Sequence, residues 1–179
     1  KQQLIENLPI DHLYFADNYA MAAHQLNDKI ADTVTNDRVL GVMSHYQIND
    51  FYSDTEIIHD EIRNNDGVTV VYGTGATVLA PEPNLLIYCD LARWEIQLRY
   101  RAGLSNWQQD NSPEDPLRKF KRGYFFEWRM ADRLKKQLLP QVNFLLDTND
   151  KATPKLISGT DLLNSLKTLN RQPYRTVPY

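Results

Sequence analysis

Cysteine occurs once, at Cys89, so no disulfide can close within the chain. Together with the lack of a leader-like segment, this leads us to expect a cytoplasmic protein. No apolar run approaches the roughly 20 residues that a membrane-spanning helix needs, so no membrane partner is expected. The four histidines, His12, His24, His45 and His59, are scattered and form neither HxH nor HExxH. With a single thiol beside them, no metal site is expected. G-x-S-x-G is missing, which removes the support for a hydrolase elbow. GxxxxGK[S/T] is missing too, so no stretch reads as a Walker-type phosphate loop. Glycine is modest at 7 residues and the hydrophobic share is 42%, an ordinary globular composition rather than a low-complexity one.

Positive charge is not in excess overall, the net charge being −3 over 179 residues. It is concentrated instead. Between Arg93 and Lys136 stand 11 Lys and Arg against 6 Asp and Glu, while the remainder has 9 against 17. A basic region beside acidic flanks points to a site for an anion more than to a nucleic-acid surface.

The length suits one compact domain, which we place at residues 1–172, with the proline-bearing stretch 173–179 as a linker. The chain starts at Lys1 rather than Met, and the expectation is a piece of a longer protein. "DHLYFAD" reads as a strand and "NYAMAAHQLNDKIADTV" as a helix capped by Asn18. "SDTEIIHDEIRNN" reads as a helix with Ser53 as cap and Glu56 completing a capping box. "GVTVVYG" and Leu85–Cys89 are apolar runs without polar alternation, as in strands buried on both faces of a parallel sheet. "LARWEIQLRYRAG" is a helix with Leu91, Trp94 and Leu98 on one side and a Glu95–Arg99 pair, ended by Gly103. "LSNWQQDNSPEDP" is a long polar loop of the kind that serves as a lid. A long helix follows from Pro116 to Leu139, with Phe120, Tyr124, Trp128 and Ala131 facing inward. "QVNFLLDTND" gives a further strand, and a last helix is capped at Thr160. The order is that of an α/β fold: three layers, with a mostly parallel sheet between helices.

Three candidate sites follow. In "VVYGTGA", the turn Gly73-Thr74-Gly75 lets backbone N–H groups approach an anion, or is simply a tight strand exit made of small residues. Asp90 and Arg93 stand where a strand ends and a helix begins, the edge at which open α/β sheets bind ligands. Arg93, Arg99 and Arg101 on one helix, with Lys119, Arg122, Arg129, Arg133 and Lys136 on the next, supply forks for phosphate oxygens or else form solvated helix faces. In "NDFY", Asp50 is either a general base for a hydroxyl substrate or part of a turn with packed rings.

The order from Val68 to Asp147 is similar to that of nucleoside and nucleotide kinases: strand, small-residue turn, "LIYCD" strand, arginine-rich helix, lid, arginine-bearing helix, "VNFLLD" strand. The first strand with its Walker loop has no counterpart here. "YGTGA", "YCDLARWEIQLRYRAGLSNW", "FKRGYFFEWRMADRLKK" and "RQPYRTVPY" resemble the kinase-like region that precedes the catalytic domain in bacterial, Bacteroides-type class I mannose-6-phosphate isomerases. The resemblance spans residues 37–179. It implies a P-loop-kinase-like accessory domain without catalysis of its own, whose partner is the isomerase domain downstream in the same chain. It also implies that zinc belongs only to that absent domain, that no cofactor is evident in this segment, and that there is room for a nucleotide. The ligand so implied is a phosphorylated small molecule held by Gly73, Thr74, Gly75, Asp90, Arg93, Arg99, Arg101, Arg122 and Arg129. Two alternatives stay open. One is an active nucleoside or sugar kinase whose phosphate loop lies upstream of Lys1. The other is a structural docking module using aromatics of the Tyr124–Trp128 helix.

Overall fold

The computed structural model describes residues 9–173, so all but Pro173 of the expected linker lies outside the described residues. The described residues are mixed α/β with two small sheets. β1 (His12–Phe15) pairs in parallel with β2 (Thr69–Tyr72), Leu13 opposite Val70 and Phe15 opposite Tyr72. β3 (Ile87–Asp90) pairs in parallel with β4 (Phe144–Asp147), which pairs antiparallel with β5 (Lys155–Ser158). The apolar runs are therefore strands, and parallel pairing dominates. The single sheet expected from them is two, of orders β1-β2 and β3-β4-β5. The expected burial on both faces also fails for β3, since Ile87 is 46% exposed.

The helices α1 (Ala23–Lys29) and α2 (Ala31–Val34) replace the single helix expected after Asn18, which instead lies in a 3-10 turn over Ala16–Tyr19. α3 (Thr55–Asn64) starts one residue later than the expected cap. Asp54 precedes it at φ 54°, and neither Ser53 nor Glu56 makes a capping bond. One helical turn, α4 (Ala76–Leu79), follows the glycine turn. α5 (Arg93–Arg101) ends as expected near Gly103, but it buries Tyr100 while Trp94 stays 63% exposed. α8 (Gly159–Leu169) is capped by the Ser158 hydroxyl, which accepts from Asp161 N, and not by Thr160.

The expected long helix is real but irregular. α6 (Pro116–Arg122) starts with Asp115 as cap and proline in the first turn. It passes through a π turn at Gly123–Glu127 and continues as α7 (Trp128–Leu138). Its core-facing side is only partly the one expected: Trp128 is buried and Phe120 and Tyr124 are half-buried. Phe126 and Met130 join Leu26, Ile30, Ile48, Phe51 and Val78 in the apolar core, whereas Ala131 is exposed. Phe51, fully buried, packs edge-on against Trp107 and Phe126 at 5.9 and 5.2 Å between ring centres. Of the aromatics expected to form a docking surface on this helix, Trp128 is 6% exposed and turned inward, and Tyr124 is half-buried. The "NDFY" stretch is a packed turn: the Asp50 carboxylate accepts from Gln47 N at 2.8 Å and Phe51 enters the core.

Candidate functional site

The glycine turn lies beyond the carboxyl ends of β1 and β2. Gly73 (φ 110°) and Gly75 (φ 79°) adopt backbone that L side chains avoid. A Cβ at Gly73 would sit 2.9 Å from the Phe15 ring, and one at Gly75 would sit 2.6 Å from the Tyr52 hydroxyl. Between them, Thr74 N donates to Asp17 Oδ1 at 3.1 Å, and the Tyr52 hydroxyl donates to the Thr74 carbonyl. Trp107 Nε1 also donates to Asp17 Oδ1, at 3.2 Å. A carboxylate from β1's end thus stands where an external anion would meet the turn. Burial raises the Asp17 carboxyl above its ordinary value, with the Trp107 and Thr74 donors pulling it back. The one-turn helix α4 is too short to add a useful dipole.

The second predicted location is the carboxyl edge of β3, where a cleft of about 330 Å³ opens between β3, α5 and α7. Arg93 NH2 donates to Asp132 Oδ1 at 2.5 Å and its guanidinium lies 5.0 Å from the Trp128 ring centre. Lys135 Nζ donates to Asp90 Oδ2 at 2.6 Å and lies 5.7 Å from the Tyr88 ring. Arg129 reaches the other Asp132 oxygen at 3.7 Å and stacks over Tyr124. Burial pushes Tyr88 up to about 12 and also raises the Cys89 thiol, so both are protonated near neutrality. Each cation lining this cleft already has a carboxylate, and the pairs tie α7 to α5 and to β3.

The structure therefore brings Asp90, Arg93 and Arg129 near one another and places the other predicted residues elsewhere. Arg99 donates to Glu95 at 2.8 Å and to the Thr148 carbonyl at 2.8 Å, bracing α5 against the end of β4. Arg101 is exposed at the end of α5. Arg122 lies in a different cleft, between α1–α2, α6 and the long loop. Gly73, Thr74 and Gly75 meet Tyr52, Phe15 and Asp17 rather than any of these arginines. Of the cationic stripe, Arg133 donates to the Ser44 carbonyl at 2.5 Å, Lys119 is buried and Lys136 is exposed.

Sequence reading missed a buried polar network behind Arg122. The Glu127 carboxylate accepts from Tyr100 (2.8 Å), Asn106 Nδ2 (3.0 Å) and Trp107 N (3.0 Å), and its Oε1 pairs with Arg122 Nε at 3.3 Å. Burial raises the Glu127 carboxyl, against the pull of Arg122 and these donors, and lowers Arg122. Lys119, 1% exposed, donates to the carbonyls of Leu104 (3.1 Å) and Ser112 (2.9 Å). The polar loop is thus fastened at both ends and through its middle. The available signal was an arginine and a glutamate five residues apart in a helix. Such a pair lies about 140° apart on a regular α-helix and meets only if the helix is irregular.

Comparison with known proteins shows that the chain belongs to the family described as Domain of unknown function (DUF8485), which matches residues 1–171. No curated protein and no solved structure matches it.

Proposed function

We propose that this chain is a kinase-like accessory domain that carries out no phosphoryl transfer itself and stands beside a class I mannose-6-phosphate isomerase domain in a longer protein. One observation carries the non-catalytic part: the turn after β2, which in a kinase-like order would meet phosphate, has its Thr74 N–H on Asp17 and its Thr74 carbonyl under Tyr52. Phosphoryl transfer needs free donors aimed at charge that moves between donor and acceptor oxygens. A turn closed by a carboxylate repels that charge. The parallel pairs β1–β2 and β3–β4, with the arginine-bearing helices between β3 and β4, support the kinase-like part. The isomerase part rests on the wording of residues 37–179. The test is incubation of the purified chain with radiolabelled ATP, Mg²⁺ and a panel of nucleosides and hexoses. No label should move to any acceptor above the protein-free rate. Transfer that disappears on heat denaturation would overturn the non-catalytic reading.

A docking role has one observation in its favour. Ile87, Cys89 and Leu156 share one face of the β3–β5 sheet, and Ile87 and Leu156 are 46% and 58% exposed. In this reading the downstream domain covers that face. Ile87→Lys should then leave the accessory domain folded and weaken its association with the separately produced isomerase domain. Unchanged association would remove this reading.

A further inference from the structure

We infer that the cleft between α1–α2, the long loop and α6 is a binding site for a phosphate monoester on a small polar carrier. The inference goes beyond the accessory reading and stands or falls separately from it. The cleft is about 330 Å³, and three cations, Arg118, Lys121 and Arg122, line it against one carboxylate, Glu114. Of the nearby carboxylates, Glu127 pairs with Arg122 Nε from behind at 3.3 Å, and the others are committed elsewhere. Glu114 accepts from Asn111 at 2.7 Å, Asp115 pairs with Arg38 at 2.6 Å, and Asp37 accepts from Val39 N and Leu40 N.

The two inner cations are fixed by the fold. Lys121 and Arg122 are 2% and 8% exposed. Lys121 donates to the carbonyls of Thr35 and Asp37, two of the three bonds its ammonium can make. Arg122 NH1 donates to Asn27 Oδ1 at 2.9 Å, and NH2 has no hydrogen-bond partner. Burial lowers the affinity of both groups for their protons, and repulsion from Arg118 adds to this at Lys121. Glu127 offsets part of this cost at Arg122, and an arriving anion would meet the unpartnered Arg122 Nη2 and the charge of Lys121 and Arg118.

The rest of the lining sets the ligand class. A phosphate monoester carries close to two charges at neutral pH and accepts several hydrogen bonds, which suits a fork beside an ammonium better than a carboxylate does. Asn27, Gln109 and Asn111 offer amide donors and acceptors for hydroxyls on the carrier. Among the described residues no aromatic ring lines the cleft, so a nucleobase finds none of them to stack on.

The experiment is NMR titration of the full chain with inorganic phosphate, glycerol phosphate, adenosine monophosphate and acetate, at fixed ionic strength. Saturable amide shifts are expected within residues 27–36 and 109–122, for glycerol phosphate and phosphate but not acetate. Arg118→Glu, at an exposed position, should raise Kd for glycerol phosphate at least tenfold with its unfolding midpoint kept. Arg63→Gln, on the exposed side of α3, should leave Kd unchanged. Shifts that fail to saturate, that spread over the basic surface, or that persist in Arg118→Glu would overturn the site. Acetate binding as well as phosphate, or adenosine monophosphate binding more tightly than glycerol phosphate, would overturn the ligand class.

Discussion

The two clefts have the same volume, about 330 Å³, and opposite electrostatics. At the β3 edge, Arg93 and Lys135 each face an aspartate across 2.5–2.6 Å, and that cleft is neutral by formal charge. Around Arg122, three cations meet one carboxylate, and the inner two answer mainly to carbonyls and to Glu127. The density of arginines along the chain does not tell these apart. What decides is whether each guanidinium finds its counter-charge on a neighbouring element. The first cleft is a clasp between helices and strand, closed in charge though Arg93 Nη1 has no hydrogen-bond partner; the second combines an unpartnered Arg122 Nη2 with an excess of cations.

The sharpest way to break this comparison is to remove the buried carboxylate. Glu127→Ala should cost about 3–5 kcal/mol in urea unfolding, because it leaves Arg122 charged and unpaired in the interior. Asp132→Ala, whose carboxylate is half exposed, should cost at most about 1 kcal/mol, being an exposed pair. Equal losses would mean that the two clefts do not differ as described. Next in size, Asn106→Ala removes donors to Tyr100, Glu127 and the Lys119 carbonyl, and should cost about 1–3 kcal/mol. It should also speed hydrogen exchange in the loop from Gly103 to Asp115 more than in α5. The smallest effect concerns Asp17. Its carboxyl is raised on folding, so the folded state holds that proton more tightly. Wild-type stability should therefore fall as pH rises from the unfolded carboxyl pKa of about 4 through the higher folded value. Asp17→Asn keeps an oxygen for Thr74 N and Trp107 Nε1 and should be the more stable protein above that window. The advantage should vanish below it in thermal scans run across pH, and a constant difference at every pH would exclude a titration origin.

Much of this layout was legible from local sequence. β1 to β4 show as short apolar runs, and the Glu95–Arg99 pair follows from helical spacing. β5 was missed because Lys155–Ser158 has only two apolar residues, Leu156 and Ile157, and its pairing shows only once Leu146 stands opposite Leu156. The capping box at Ser53 failed because Asp54 takes a left-handed conformation that turns the chain before the helix begins. The interior cations were missed for a more general reason. Lys119 reads as part of a phosphate-binding or solvated stripe and Lys121 is not singled out, yet their partners are backbone carbonyls of Leu104, Ser112, Thr35 and Asp37. Carbonyls have no letter in the sequence, so such an interior is visible only after folding.

The π turn at Gly123–Glu127 has one more consequence. It inserts the equivalent of one extra residue into a helix whose first half carries Arg118, Lys121 and Arg122 and whose second half carries Asp132 and Lys135. Were the same residues wound as a regular α-helix, everything downstream would swing by about 100°. Asp132 and Lys135 would then rotate away from Arg93 and Asp90, while Glu127 would leave Arg122. That irregular turn acts as a phase-setter shared by both sites.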